Sequence, residues 1–220
     1  AAIAGSAFHE AYRTWETSGR LLRPSALFVN TYNRLLEEEK AVTPLCDWKV
    51  WGRGTKVIED IDKRRESGAK QLDVYANRCR SGTSTILRLP NGELALEVPF
   101  EVEIGGTVVR GAVDKVYVTQ EGTNVVRDLK TGVREHSAFQ LGVYSFALNS
   151  LYDLKIWWGD YYYAKDDTVT PPTDLSNFDE QYLDTQFRAI DAAVAANTFV
   201  AQPGPDCFNC SVKPFCREFS

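Results

Sequence analysis

Methionine is absent from all 220 residues, the first position included. A chain that opens on Ala1 with no initiator reads as processed or trimmed at its start, or as one whose modified methionines have been dropped. No apolar run approaches the ~20 residues that span a bilayer, and the start lacks the basic-then-apolar pattern of a secretory signal. The expectation is an intracellular protein with no membrane partner. An excess of positive charge is also missing, since 30 Asp and Glu against 25 Lys and Arg leave a net charge of -5. Proteins that coat nucleic acid nonspecifically hold it through Lys and Arg, so the balance argues against that class and leaves room for an enzyme with a local basic patch. Cysteine is sparse, five residues in all, three of them crowded near the end. Such usage suits metal ligation in a reducing compartment better than a disulfide framework.

What is present is a core-forming composition, 44% hydrophobic and 25% charged, enough for one ordinary domain. Charge is segregated: residues 53–80 hold eight basic and five acidic side chains, residues 174–196 five acidic ones and one Arg. Apolar spacing predicts a first helix capped by Ser6, with Phe8, Ala11, Tyr12 and Trp15 on one face and His9 beside it in the first turn. Taken alone, such a His is a solvated or core-edge residue. A second helix is expected over Ser25 to Lys40. A third runs from Val57 to Arg80, with Gly68 as its interruption. Its cations Lys63, Arg64, Arg65, Lys70 and Arg78 read as a solvated face, or as a contact for a phosphate backbone. Val42 to Gly54 reads as a loop or short extended piece, with Cys46 a small core residue.

Glu93 to Ile104 alternates like an outer strand carrying Pro99, and Gly105-Gly106 turns it into the next strand. Val108 to Thr119 and Asn124 to Lys130 then form a hairpin. Ser137 to Leu151 reads as a helix with Phe139, Val143, Phe146 and Ala147 inward. Leu154 to Ala164 reads as a strand, and Asp179 to Ala196 as a closing helix with Leu183, Phe187, Ile190 and Val194 in register. This order of elements implies an α/β fold, a mixed central sheet flanked by helices.

The chemistry concentrates in the second hairpin. If it is symmetric about Glu121, Asp114 and Asp128 lie opposite one another with Cβ atoms about 5 Å apart. Alternation places Lys130 on the face of Asp128 and turns Leu129 away. Two such carboxylates repel unless a cation sits between them, and Mg²⁺ is commonly held by one or two carboxylates. The bland alternative is a surface hairpin with an Asp-Lys cross-strand pair. Gln140 and Tyr144, four apart, are neighbours on one helix face. On the residues alone they read as a buried Tyr capped by Gln.

Gly111-x-x-Asp114 followed by Asp128-x-Lys130-Thr131-Gly132 resembles the nuclease centre of the PD-(D/E)XK superfamily, in its RecB-like branch. That branch carries a His on a helix before the sheet, matched by Gly5-Ser6-Ala7-Phe8-His9, and a Gln-x-x-x-Tyr after it, matched by Gln140 and Tyr144. Cys207, Cys210 and Cys216 resemble the terminal cluster of its iron-sulphur members, the AddB-type and CRISPR-associated exonucleases. The resemblance implies a restriction-endonuclease-like core. It also implies Mg²⁺ or Mn²⁺ on His9, Asp114, Asp128 and the Leu129 carbonyl, with Lys130 handling the water or the phosphate and Gln140 and Tyr144 holding the DNA strand.

The cysteine tail implies a [4Fe-4S] cluster, with Zn²⁺ as the alternative. The family's fourth cysteine precedes the first-motif His, and none of the eight residues before His9 is Cys. The fourth ligand is expected on an absent N-terminal segment, the alternatives being Cys46, Cys79 or a degenerate or zinc-filled cluster. The domain expectation is a nuclease domain over 1–200 with a cysteine tail, 201–220, packed on it. The expected activity is metal-dependent DNA hydrolysis, as an exonuclease on single-stranded ends in recombination, repair or phage DNA processing, with a helicase or recombination partner. The rival readings are a nuclease-fold DNA-binding or scaffolding subunit and a zinc-binding interaction protein.

Overall fold

The computed structural model describes residues 2–48, 56–132 and 137–198, together with 203, 204, 207, 210 and 212–216. Residues 49–54 of the expected loop and Pro205 of the tail lie outside the described residues.

Three helices form one layer: α1 (Ala2–Thr17), α2 (Pro24–Val42) and α3 (Val57–Ser81). Ser6 does not cap α1 but lies inside it, and His9 is therefore past the first turn. The Ala-rich opening residues are good helix formers and carry the helix beyond the one polar residue that could have started it. Ala7, Phe8, Ala11, Tyr12 and Trp15 form its buried stripe. Pro24 begins α2, where its fixed φ and missing N–H cost nothing. Cys46 lies in the short turn after α2 and is exposed, so it is not the core residue expected.

Gly68 does not interrupt α3, which runs unbroken through it. It is instead the place where α3 meets α2: a Cβ there would lie 2.0 Å from Cζ of the fully buried Phe28. Gly68→Ala sets a helix-propensity gain of about 1 kcal/mol against an overpacking cost of about 1–3 kcal/mol. At so short an approach the clash wins. The variant should lose about 1–2 kcal/mol of stability, read as a lower urea midpoint with an unchanged slope.

The sheet contains β1 (Thr85–Ile86), β2 (Leu96–Ile104), β3 (Thr107–Val118), β4 (Asn124–Lys130), β5 (Trp158–Tyr163), β6 (Thr168–Val169) and β7 (Thr173–Asp174). β2 and β3 pair from Ile104↔Thr107 to Leu96↔Lys115. Between them Gly105 and Gly106 have φ of 61° and 87°, the backbone a two-residue hairpin turn demands. Among the described residues β2 pairs with β3 alone, which is why Pro99 is tolerated in it. β3 and β4 are antiparallel. β4 and β5 run parallel across the intervening helix α4 (Ala138–Tyr152). The sheet is therefore mixed. The strand expected from Leu154 begins only at Trp158.

Each face of the sheet has its own core. Val126, Tyr161 and Tyr163 point toward α4 and α5 (Glu180–Ala195), whereas Leu129 and Tyr162 point toward α1, α2 and α3. This is the restriction-endonuclease-like α/β arrangement. Asp179 caps α5 by accepting from the Tyr182 N–H. Its predicted apolar face is only half used: Leu183 is buried and Phe187 packs on the core, but Ile190 and Val194 are exposed. Periodicity marks an apolar stripe; it does not say how far along the stripe the sheet reaches.

Candidate metal centre

Lys115↔Arg127 is the innermost pair of the β3–β4 ladder, and one further step of the same register sets Asp114 against Asp128. Asp114 Oδ2 accepts the Leu129 N–H at 2.6 Å, and Tyr12 OH donates to the Asp114 carbonyl at 3.0 Å. Both carboxylates are buried. Lys130 Nζ lies 3.0 Å from Asp128 Oδ2 and donates to Gln140 Oε1 at 2.9 Å. Gln140 Nε2 in turn donates to Tyr144 OH at 2.8 Å. The predicted residues of the hairpin and of α4 thus form one chain of contacts.

His9 completes the group from the opposite layer. Its Nε2 lies 3.1 Å from the Leu129 carbonyl and its Nδ1 3.4 Å from Asp114 Oδ1. The same Nδ1 lies 2.8 Å from Glu97 Oε1. Glu97 is the member that sequence patterns did not reveal. Ligand atoms of His9, Glu97 and Asp114 all lie within 4.8 Å of one another.

The backbone explains how Glu97 gets there. Its φ is 48°, in the left-handed region, which costs a non-Gly residue about 1–3 kcal/mol and concentrates at functional sites. Leu96 packs in the core of the three-helix layer, while Val98, two residues on, packs in the opposite core. A regular strand would put both on one face. Opposite, Val113 joins the α4 core while Lys115 reaches Tyr75 and Glu16 on α3 and α1. Both strands change face across Glu97 and Asp114, and the two acids meet at the change.

The electrostatics are those of crowded carboxylates. Burial pushes the Asp114 carboxyl up to about 7; Asp128 and Glu97 add to this, while His9 and the Leu129 N–H oppose it. Burial alone would lower the His9 pKa, but the Glu97 hydrogen bond and the charges of Asp114, Glu97 and Asp128 prevail and raise it to about 9. Burial, then the same aspartates, push the Tyr144 hydroxyl up, so it remains un-ionised where it accepts the Gln140 N–H.

The terminal cysteines are placed differently. Cys207 and Cys216 are half-buried and Cys210 is exposed. Among the described residues their thiols do not gather into a three-ligand group, with or without Cys46 or Cys79.

A mixed sheet between helical layers, with an imidazole, three carboxylates and an ammonium at a strand irregularity, defines a site suited to a hard divalent cation. The model of the PD-(D/E)XK nuclease superfamily matches residues 1–217, and the chain belongs to that superfamily. It is 31% identical to the Gene 69 protein of Mycobacterium phage D29, over 98% of this chain and 84% of that one. The Gene 69 protein of Mycobacterium phage L5 is 29% identical over the same shares. The crystal structure of SSO0001 aligns with 100% of this chain and 98% of its own at a TM-score of 0.40 and 14% identity, too low to carry an argument. No described helix is long and apolar enough to cross a membrane.

Proposed function

We propose that the chain is a divalent-metal-dependent deoxyribonuclease that hydrolyses phosphodiester bonds, acting as an exonuclease on single-stranded ends. The observation that carries this reading is the convergence of His9, Glu97 and Asp114 within 4.8 Å, beside Asp128 and Lys130 held at 3.0 Å. The donor set fits the ion: carboxylates suit Mg²⁺, and an imidazole among them favours Mn²⁺. His9, Glu97, Asp114, Asp128 and the Leu129 carbonyl would hold it. Bound there, a divalent ion supplies Lewis acidity that activates water and screens the phosphodiester charge.

The protein's own groups do the rest. Lys130, oriented by Asp128 and Gln140, faces the attacking water or the charge that builds on the phosphate. Tyr144 fixes the Gln140 amide through its hydroxyl, so the ammonium has one direction to point. Tyr12 pins the strand that carries Asp114. The preference for single-stranded ends rests on the motif resemblance to the iron-sulphur exonucleases. The two mycobacteriophage relatives support a phage-encoded enzyme working in a bacterial host, where a helicase or recombination partner would supply ends.

End-labelled single- and double-stranded DNA, incubated with Mg²⁺ or Mn²⁺ and with EDTA, tests the reading. Cleavage is expected with metal only. Lys130→Ala and Asp128→Asn should each lower the rate about 10²–10⁴-fold with the melting profile retained. Near-normal cleavage by Asp128→Asn, or binding without cleavage in the native chain, would overturn it.

We also assign the C-terminal cysteines to a metal centre that holds the tail; what supports this is the Cys207-x-x-Cys210 and Cys216 spacing alone. Metal analysis and the visible spectrum of anaerobically purified protein check it: iron with broad absorption marks an iron-sulphur cluster, colourless zinc the alternative, and neither metal refutes it.

A further inference from the structure

A cavity of about 370 Å³ opens where β4 passes into Thr131 and Gly132. Ala4 of α1, Lys63, Arg64 and Gln71 of α3, and Lys165 just after β5 form its walls. Its place relative to the metal centre is set by two contacts. The Lys130 carbonyl accepts the Ala164 N–H at 2.8 Å, so Lys165 stands beside the strand end that carries Lys130. A Cβ on Gly5 would lie 3.4 Å from Thr131 Oγ1, and Gly5 itself lines the opening over His9 and Glu97. Only the start of α1 separates the two openings, with Ala4 in the wall of one and Gly5 in the wall of the other.

The charge of this cavity is opposite to that of the whole chain. Its one acidic wall residue, Asp60, accepts from Arg64 Nε at 2.6 Å. Lys63 and Lys165 make no ion pair among the described residues and are exposed. Two other cations of α3 are committed elsewhere, Arg65 to Asp62 and Asn33, Arg78 to Asp167. Among its described residues, a protein of net charge -5 therefore keeps two unneutralised ammonium groups next to its candidate active site. Free Lys beside neutral amide and hydroxyl donors is the equipment that grips phosphate without reading bases.

We propose that this cavity binds backbone phosphate of the nucleic-acid strand adjoining the scissile bond, with Lys63 and Lys165 as the charged contacts and Gln71 and the Thr131 hydroxyl as neutral donors. The proposal rests on the nuclease reading of the neighbouring site. It makes the strand run across the first turns of α1, from the opening over His9 and Glu97 into the gap between α3 and the end of β4.

The test is the binding of a fluorescent single-stranded oligonucleotide to the full chain in EDTA, by anisotropy, over a range of salt concentrations. Removing one cation that neutralises a phosphate should lower the slope of log affinity against log salt by about 0.7 for a single strand. Lys63→Ala combined with Lys165→Ala should therefore lower it by about 1.4. The double variant should weaken binding about tenfold and raise KM for cleavage while kcat stays within twofold. Lys70→Ala, an exposed cation of α3 outside the cavity, is the control and should shift each quantity less. Paired oligonucleotides with a 5′-phosphate or a 5′-hydroxyl separate the sources: equal losses mean an internal phosphodiester, a loss confined to the first means a terminal phosphate.

A double variant with the slope, affinity and KM of the Lys70→Ala control overturns the proposal even if the native chain cleaves DNA. A native chain that does not cleave with any metal, yet loses slope in the double variant, overturns the nuclease reading and leaves the phosphate site standing.

Discussion

Asp114→Asn is expected to abolish cleavage and, at the same time, to make the metal-free protein more stable at pH 8. The carboxyl is buried, faces Asp128 and Glu97, and has its pKa raised from 3.8 to about 7. In that window the folded chain holds a proton that the unfolded chain has released, so native stability falls as pH rises and is lowest from this group above about 7. An amide has no such titration. It keeps an oxygen for the Leu129 N–H, which the carboxylate accepts at 2.6 Å. At ~1.4 kcal/mol per unit, the shift bounds the gain at roughly 4 kcal/mol, and losing the charge that faces His9 removes part of it.

The His9 titration acts in the opposite part of the range. Its pKa is raised from 6.5 to about 9, so its contribution is fully present below the lower value and is lost as pH rises through the upper one. Removing Asp114 shrinks that contribution. Thermal melts in EDTA at pH 4 and pH 8 should therefore show the variant little changed in acid and several degrees more stable in base. Cleavage at saturating Mn²⁺ should fall by at least about 10³-fold. A variant less stable than the native chain at pH 8 would mean that the ionised carboxylate is held favourably, and that the crowding inferred at this site is wrong.

Glu97 should prove as necessary for metal binding as the motif residues. Glu97→Ala and Glu97→Gly are both expected to weaken Mn²⁺ binding about 10²-fold, the upper end of the effect of losing a group that orients a metal ligand. Their stabilities should differ. At φ 48° an alanine retains the left-handed penalty of about 1–2 kcal/mol, and a glycine does not. The glycine variant should thus be the more stable of the two by about 1 kcal/mol, measured by urea denaturation without metal. Calorimetric titration with MnCl₂ decides the first point. Unchanged affinity would remove Glu97 from metal binding altogether, both as a ligand and as the group that orients His9 through Nδ1. Equal stabilities would mean that the strand relaxes to ordinary β geometry once the carboxylate is gone.

Much of this site was legible because it is local. Asp114 and Asp128 flank a short turn, so counting outward from Glu121 pairs them. Lys130 shares a face with Asp128 because side chains alternate along a strand, and Gln140 reaches Tyr144 because four residues make about one helical turn. Each relation follows from a backbone period and needs no knowledge of the fold. The mixed sheet between helices followed from the order of elements in the same way.

Other features depend on distant parts of the chain. Glu97 looks in sequence like Glu93, Glu101 and Glu103, and alternation along the expected strand groups it with all three. Only the pairing of β2 with β3, and the change of face at a positive φ, separate it from them and turn it to Asp114. His9 is 120 residues from the Leu129 carbonyl it faces, and no local period could bring them together. The same holds for Gly68, a break in α3 by its residue type, until Phe28 of α2 is seen to occupy the space of its side chain. It holds too for Ile190 and Val194, apolar by period yet beyond the reach of the sheet. The sequence by itself determined the helical and strand periods and hence which residues are neighbours within one element or one hairpin. Packing of the α1–α3 layer against the sheet, which depends on side-chain volumes and contacts between remote segments, decided which of those residues meet at the candidate metal centre.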